Sequence, residues 1–126
     1  MNVLKFGGSS VGSAENITKV MGILDNYSKQ DQVICIVSAI GGITDKLLNS
    51  GLLAQNKNED YKTEFEAIKS IHFDILQELI PEGSQAAQDF LESELNYLKN
   101  LLDGIFLINE LTPNTSDKLL SFGELM

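Results

Sequence analysis

The sequence predicts an α/β fold with parallel strands, and three features predict it. A short apolar run at residues 2–6 breaks into Gly7-Gly8, a β-branched run at residues 32–38 breaks into a second small-residue loop, and a helical stripe lies between them. Strand, helix and strand inside the first 38 residues make a βαβ unit, whose crossover is right-handed. Two glycine-rich loops then leave the carboxyl ends of neighbouring parallel strands, the edge at which open α/β sheets bind ligands.

The first run, Asn2-Val3-Leu4-Lys5-Phe6, is too short for a helix and reads as a buried strand. From Ala14, the apolar residues Ile17, Val20, Met21, Leu24 and Tyr27 recur at helical spacing, with Ser13 as N-cap and Glu15 in the first turn. The run at residues 32–38 is continuously apolar from Val33 to Val37, as in a strand covered on both faces, and Cys35 inside it reads as a small buried hydrophobe. A short helix at residues 45–53 and a polar loop at 55–60 lead to two long amphipathic helices.

The first of these carries Tyr61, Phe65, Ile68, Ile75, Leu76 and Leu79 on one stripe and stops at Pro81-Glu82-Gly83. The second, capped by Ser84, carries Ala87, Leu91, Leu95, Leu98 and Leu102, and the pair reads as an antiparallel helical hairpin. Leu102, Ile105, Ile108 and Leu111 keep a spacing of three, which continues the helix. Pro113-Asn114-Thr115 breaks it, and a last helix is expected to start near Ser116-Asp117. Gly123 inside that helix costs about 1 kcal/mol relative to alanine, which implies close approach of another group, a ligand being one candidate. Only two strands are found and the last helix runs apolar to Met126, so the expectation is the opening part of a larger α/β domain.

The chain has 126 residues, 43% of them hydrophobic, enough for a core. Its 9 basic and 18 acidic residues leave a net charge of −9, which argues against nucleic acid as a partner. All the basic residues are lysines, so a carboxylate site complete within the chain is not expected without the arginine that usually grips one. A single cysteine excludes an internal disulfide and fits a cytoplasmic protein, and no apolar run suits a membrane. His72, the only histidine, has no partner histidine or cysteine and reads as a surface or packing residue rather than a ligand.

The chemistry centres on the two loops. Lys5 precedes Gly7, Gly8, Ser9 and Ser10, which offer approachable amides, hydroxyls and one full positive charge to an anion. The order differs from the Walker loop, whose lysine follows its glycines, and from G-x-G-x-x-G. A plain tight turn and a phosphate site remain equally open on that loop alone. Ser38 with Gly41-Gly42 repeats the theme on the second strand and favours the anion site. Thr44 also suits a helix-capping role, and Glu124 that of a solvated carboxylate.

Lys5-Phe6-Gly7-Gly8-Ser9-Ser10-Val11, then Val37-Ser38-Ala39 with Gly42-Ile43-Thr44-Asp45, then Ser121-Phe122-Gly123-Glu124-Leu125-Met126 resemble the three N-terminal motifs of the aspartate kinases, in the amino-acid kinase family. The start and the helical hairpin are also similar to the kinase portion of bifunctional aspartate kinase–homoserine dehydrogenases. The resemblance implies the N-terminal portion of an αβα sandwich and ATP-dependent phosphorylation of the side-chain carboxylate of L-aspartate, the first step toward lysine, threonine and methionine. It implies that Lys5 neutralises charge on the transferring phosphoryl group, and that Gly7, Gly8, Ser9 and Ser10 hold phosphate oxygens. Ser38 would lie near the reacting groups, and Thr44 and Glu124 would bind aspartate. ATP with Mg2+ is the implied cofactor, its metal ligands falling outside residues 1–126, and a homo-oligomer is expected. The 126 residues alone are expected to be inactive. The alternative is a non-catalytic anion-binding or assembly module of the same fold.

Overall fold

The computed structural model describes residues 1–126 and has the order βαβαααα. Strands β1 (Asn2–Phe6) and β2 (Val33–Val37) pair in parallel, with Lys5 opposite Ile36 and Phe6 opposite Val37. Helix α1 (Ala14–Ser28) makes the crossover, and the Ser13 side chain caps it by accepting from the Asn16 amide at 3.1 Å. The α/β class, the parallel pair and the cap are as the sequence predicts.

Helix α2 (Ile43–Gln55) is longer than expected at both ends and sits at the centre, packed against α3 (Tyr61–Leu79), α4 (Gln85–Ile108) and α5 (Pro113–Leu125). Its cap is Gly42, which adopts φ +85° as glycine readily does, so Thr44 does not cap this helix and lies exposed in its first turn. The long helices run antiparallel, since Tyr61 at the start of α3 meets Asp103 near the end of α4. Helix α4 continues through Ile105–Ile108 as the spacing requires and closes on Asn109 in the left-handed conformation. Lys57 donates to the last carbonyls of α4, at Phe106 and Leu107, where the helix dipole favours a cation.

Helix α5 corrects its expected start. Pro113 does not break the structure before it but opens α5 itself, because a proline at the first helical position gives up an amide that has no partner there anyway. Thr112, not Ser116, is the cap, accepting from the Thr115 amide at 3.1 Å.

The core is entirely helical: Ile43, Leu47, Ile68, Leu98, Leu102 and Leu119 are fully buried, and no strand residue belongs to the buried cluster. The strands lie beside it with one covered face. Cys35 and Val37 face α1 across an open cleft and Val3, Ile34 and Ile36 face the other way, and Val37 is as exposed, about half, as the residues of the bare face. The second strand is therefore not covered on both faces among these residues, and Cys35 is exposed rather than buried. No helix is long and apolar enough to cross a membrane.

Candidate functional site

The two glycine loops are joined at the carboxyl edge of the strands. Ser38 donates its amide to the Phe6 carbonyl at 3.1 Å, extending the ladder by one bond, and Gly41 donates to the Gly8 carbonyl at 3.0 Å. A Cβ on Gly8 would lie 3.1 Å from the Ala39 carbonyl oxygen, and one on Gly41 would lie 3.2 Å from the Gly8 oxygen. Backbone stands on both sides of these contacts, so neither loop can make room for a side chain without separating from the other. This is the physical need for glycine at Gly8 and Gly41.

The first loop is further pinned by α1. Asn16 Nδ2 donates to the Ser9 carbonyl at 2.9 Å, and the Ser10 amide turns back to the Gly7 carbonyl at 3.0 Å. The amides of Gly8 and Ser9 donate to no protein group. They and the Ser9 hydroxyl remain free to receive an anion at a solvent-facing edge.

The third motif is brought in by packing. A Cβ on Gly123 would stand 3.0 Å from the Ala39 side chain, 3.2 Å from Leu47 and 3.5 Å from Ile43. The close approach inferred from the sequence is real, but its partner is the second loop and the start of α2, not a ligand. Its effect is to hold the last turn of α5 against the loop, which places Glu124 and Ser38 on the wall of one cleft.

Not every candidate converges. Lys5 is exposed, makes no ion pair, and by strand alternation points to the uncovered face of the sheet, opposite the cleft that Ser38 and Glu124 line. Thr44 lies out in solvent on the first turn of α2. Gly7, Gly8, Ser9, Ser10 and Ser38 are together at the strand edge, and Glu124 of α5 shares a cleft with Ser38. The sequence reading missed two contributors, Asn16 as the pin of the first loop and Gly41 as the partner of Gly8. The repeated Gly-Gly pairs were the available signal for the second, whereas nothing in the spacing marks Asn16.

No group of three or more His, Cys, Asp or Glu side chains is arranged to hold a metal ion. What the site can offer by itself is anion capture through free amides and hydroxyls.

The comparisons with known proteins agree on the kinship of the chain. The model of the amino acid kinase family matches residues 1–126. Aspartokinase 2, chloroplastic, of Arabidopsis thaliana is 39% identical over 98% of this chain, which covers 22% of the plant protein. The bifunctional aspartokinase/homoserine dehydrogenase of Buchnera aphidicola is 26% identical over 100% of this chain and 16% of its own. Among solved structures, E. coli aspartokinase III in complex with aspartate and ADP superposes with a TM-score of 0.81 at 28% identity, over 99% of this chain and 26% of that one. The chain thus spans about a sixth to a quarter of the length of these proteins.

Proposed function

The chain belongs to the amino acid kinase family, and from that premise we propose that residues 1–126 are the N-terminal, phosphate- and substrate-binding part of an aspartate kinase catalytic domain. The reaction is the ATP-dependent phosphorylation of the L-aspartate side-chain carboxylate to 4-phospho-L-aspartate. ATP supplies the phosphoryl group, and the substrate carboxylate is itself the nucleophile. The protein's task is then positioning and charge stabilisation.

The observation that carries this reading is the joining of the two glycine loops at the carboxyl edge of parallel strands, with the Gly8 and Ser9 amides unspent. Those amides, with Gly7 and the Ser9 and Ser10 hydroxyls, hold phosphate oxygens. Lys5, free of any ion pair, neutralises charge on the transferring group. Glu124 accepts from the aspartate α-ammonium, Thr44 binds the same substrate, and Ser38 stands near the reacting carboxylate. The Mg2+ that accompanies ATP takes its protein donors from outside residues 1–126. A homo-oligomer in the cytoplasm completes the proposal, supported by the bare sheet face and by one unpaired cysteine, although the Arabidopsis relatives are chloroplastic by name.

The test is aspartate-dependent ADP formation by two proteins. The 126-residue chain alone is expected to show none. A chimera in which these residues replace the matched quarter of E. coli aspartokinase III is expected to turn over, and Lys5→Ala in it to lower kcat by about 10²–10³-fold, as loss of one charge-stabilising group does. Robust turnover by the 126 residues alone would sink the fragment reading. A folded chimera that binds ATP yet never consumes aspartate would favour a non-catalytic anion-binding module.

A further inference from the structure

The loop between β1 and α1 is held by its carbonyls. The Gly7 carbonyl accepts from the Ser10 amide at 3.0 Å, and the Gly8 carbonyl from the Gly41 amide at 3.0 Å. The Ser9 carbonyl accepts from Asn16 Nδ2 at 2.9 Å and, at the longer distance of 3.3 Å, from the Gly12 amide. Every peptide unit is trans, so a tied carbonyl turns the N–H of its own unit the opposite way. The bonds on the Gly7 and Gly8 carbonyls therefore aim the free amides of Gly8 and Ser9 away from the groups that hold the loop.

Asn16 stands at the head of this arrangement. Its bond fixes the unit that joins Ser9 to Ser10, the N–H of that unit holds the Gly7 carbonyl, and the Gly7 carbonyl in turn aims the Gly8 amide. Were the unit to turn over, the Ser9 oxygen would meet the Gly7 oxygen and the Gly8 amide would lose its aim. Asn16 is the only side chain hydrogen-bonded to residues 7–12. It occupies the third position of α1, where a side chain commonly reaches back to the cap residue's amide. Asn16 makes no such bond to Ser13 and directs its –NH2 to the loop instead, the only end of the side chain that a carbonyl can meet.

We propose that Asn16 is a positioning residue for phosphoryl transfer, one that acts through the Ser9 carbonyl to keep the Gly8 and Ser9 amides turned toward the phosphates of ATP. The inference rests on the reading that the first loop holds phosphate oxygens. Its effect falls on the nucleotide, because Asn16 touches the first loop alone, whereas Thr44 and Glu124 stand on α2 and α5.

Steady-state kinetics and thermal unfolding of the chimera with Asn16→Ala, Asn16→Asp and Asn16→Gln test it. Asn16→Ala is expected to raise the KM for ATP about five- to tenfold, as loss of one hydrogen bond does, and to leave that for aspartate unchanged. Asn16→Asp has the same shape but no donor, and it sets a carboxylate oxygen against the Ser9 oxygen, so its KM for ATP should rise further. A carboxylate in the first turn of a helix favours the helix, so the Tm of Asn16→Asp should not fall. That split separates positioning from folding. Asn16→Gln keeps the –NH2 and should recover most of the parental KM.

An active chimera in which Asn16→Ala and Asn16→Asp keep the parental KM for ATP overturns the inference and leaves the kinase reading intact. A rise in both KM values together with a lower Tm in every variant also overturns it, leaving Asn16 a residue of the fold alone. If the chimera folds without activity, the kinase reading fails by itself. In that case, or if the chimera does not fold, the 126-residue chain is titrated with inorganic pyrophosphate and followed by its Gly8 and Ser9 amide resonances. These should move in the parent, and Asn16→Asp should bind about tenfold more weakly. Equal affinity in the two proteins, or no movement of these resonances in the parent, overturns the inference.

Discussion

Tyr61 joins the two long helices through one bond, its hydroxyl donating to Asp103 Oδ1 at 2.7 Å. Burial first, then the bond and charge of Asp103, push the Tyr61 pKa from 10.0 to about 12. Burial pulls Asp103 upward, but the bonds from Lys99 and Tyr61 outweigh it and hold that carboxyl below its ordinary range. Because the folded tyrosine ionises later than the unfolded one, its contribution is complete below pH 10 and is lost as pH rises from 10 to about 12. Tyr61→Phe is expected to cost about 1 kcal/mol at pH 7 and to flatten the alkaline fall in stability. Urea unfolding at pH 7 and at intervals above 9.5 measures both, and an alkaline limb identical to that of the parent would exclude this role. The apolar side of Tyr61 was readable from its helical stripe. Its acceptor, 42 residues away, was not, since no local pattern pairs a tyrosine with one aspartate among many.

At the level of elements, α5 is held by the absence of a side chain at Gly123. Alanine there would gain about 1 kcal/mol of helix propensity, yet its methyl would press on Ala39, Leu47 and Ile43 at 3.0 to 3.5 Å. Ile43 and Leu47 are fully buried, and Ala39 belongs to the loop backbone tied to Gly8, so there is little room to yield. Gly123→Ala is therefore expected to destabilise the chain by about 1–2 kcal/mol despite the better helix former. In the active chimera it is expected to raise the KM for aspartate more than it lowers kcat, by displacing Glu124 from the loop. Thermal unfolding with steady-state kinetics checks both, and a stabilised variant with unchanged KM would show that α5 is not seated by this contact. The start of α5 taught the same lesson, because a proline that ends a helix and one that opens the next look alike until the fold shows which amide is missed.

For the molecule as a whole, the consequence is association. Two strands with both outer edges unpaired, and a face where Val3, Ile34 and Ile36 are about half exposed, form a surface that soluble monomers rarely keep bare. The 126-residue chain is expected to self-associate as concentration rises, more so in salt, which screens the repulsion of a −9 net charge. Ile36→Lys should shift it toward monomer. Light scattering that finds a clean monomer at high concentration and 0.5 M salt would count against this.

The alternation and stripe patterns of the sequence determined the class, the order of elements and the two loops, because periodicity and glycine placement are local consequences of backbone geometry. They also placed Lys5, Ser9, Ser38 and Glu124 in motifs whose family is now established. What only the tertiary structure decided was who meets whom. Gly8 touches Gly41 because the strands pair in parallel, and Gly123 is a packing contact because α5 lands on the second loop. Cys35 is open because α1 and α3 leave a cleft over its side of the strand, and His72 is a buried acceptor because α3 turns it onto that cleft. Each depends on contacts between residues far apart in the chain, which burial and close packing select and local propensity does not encode.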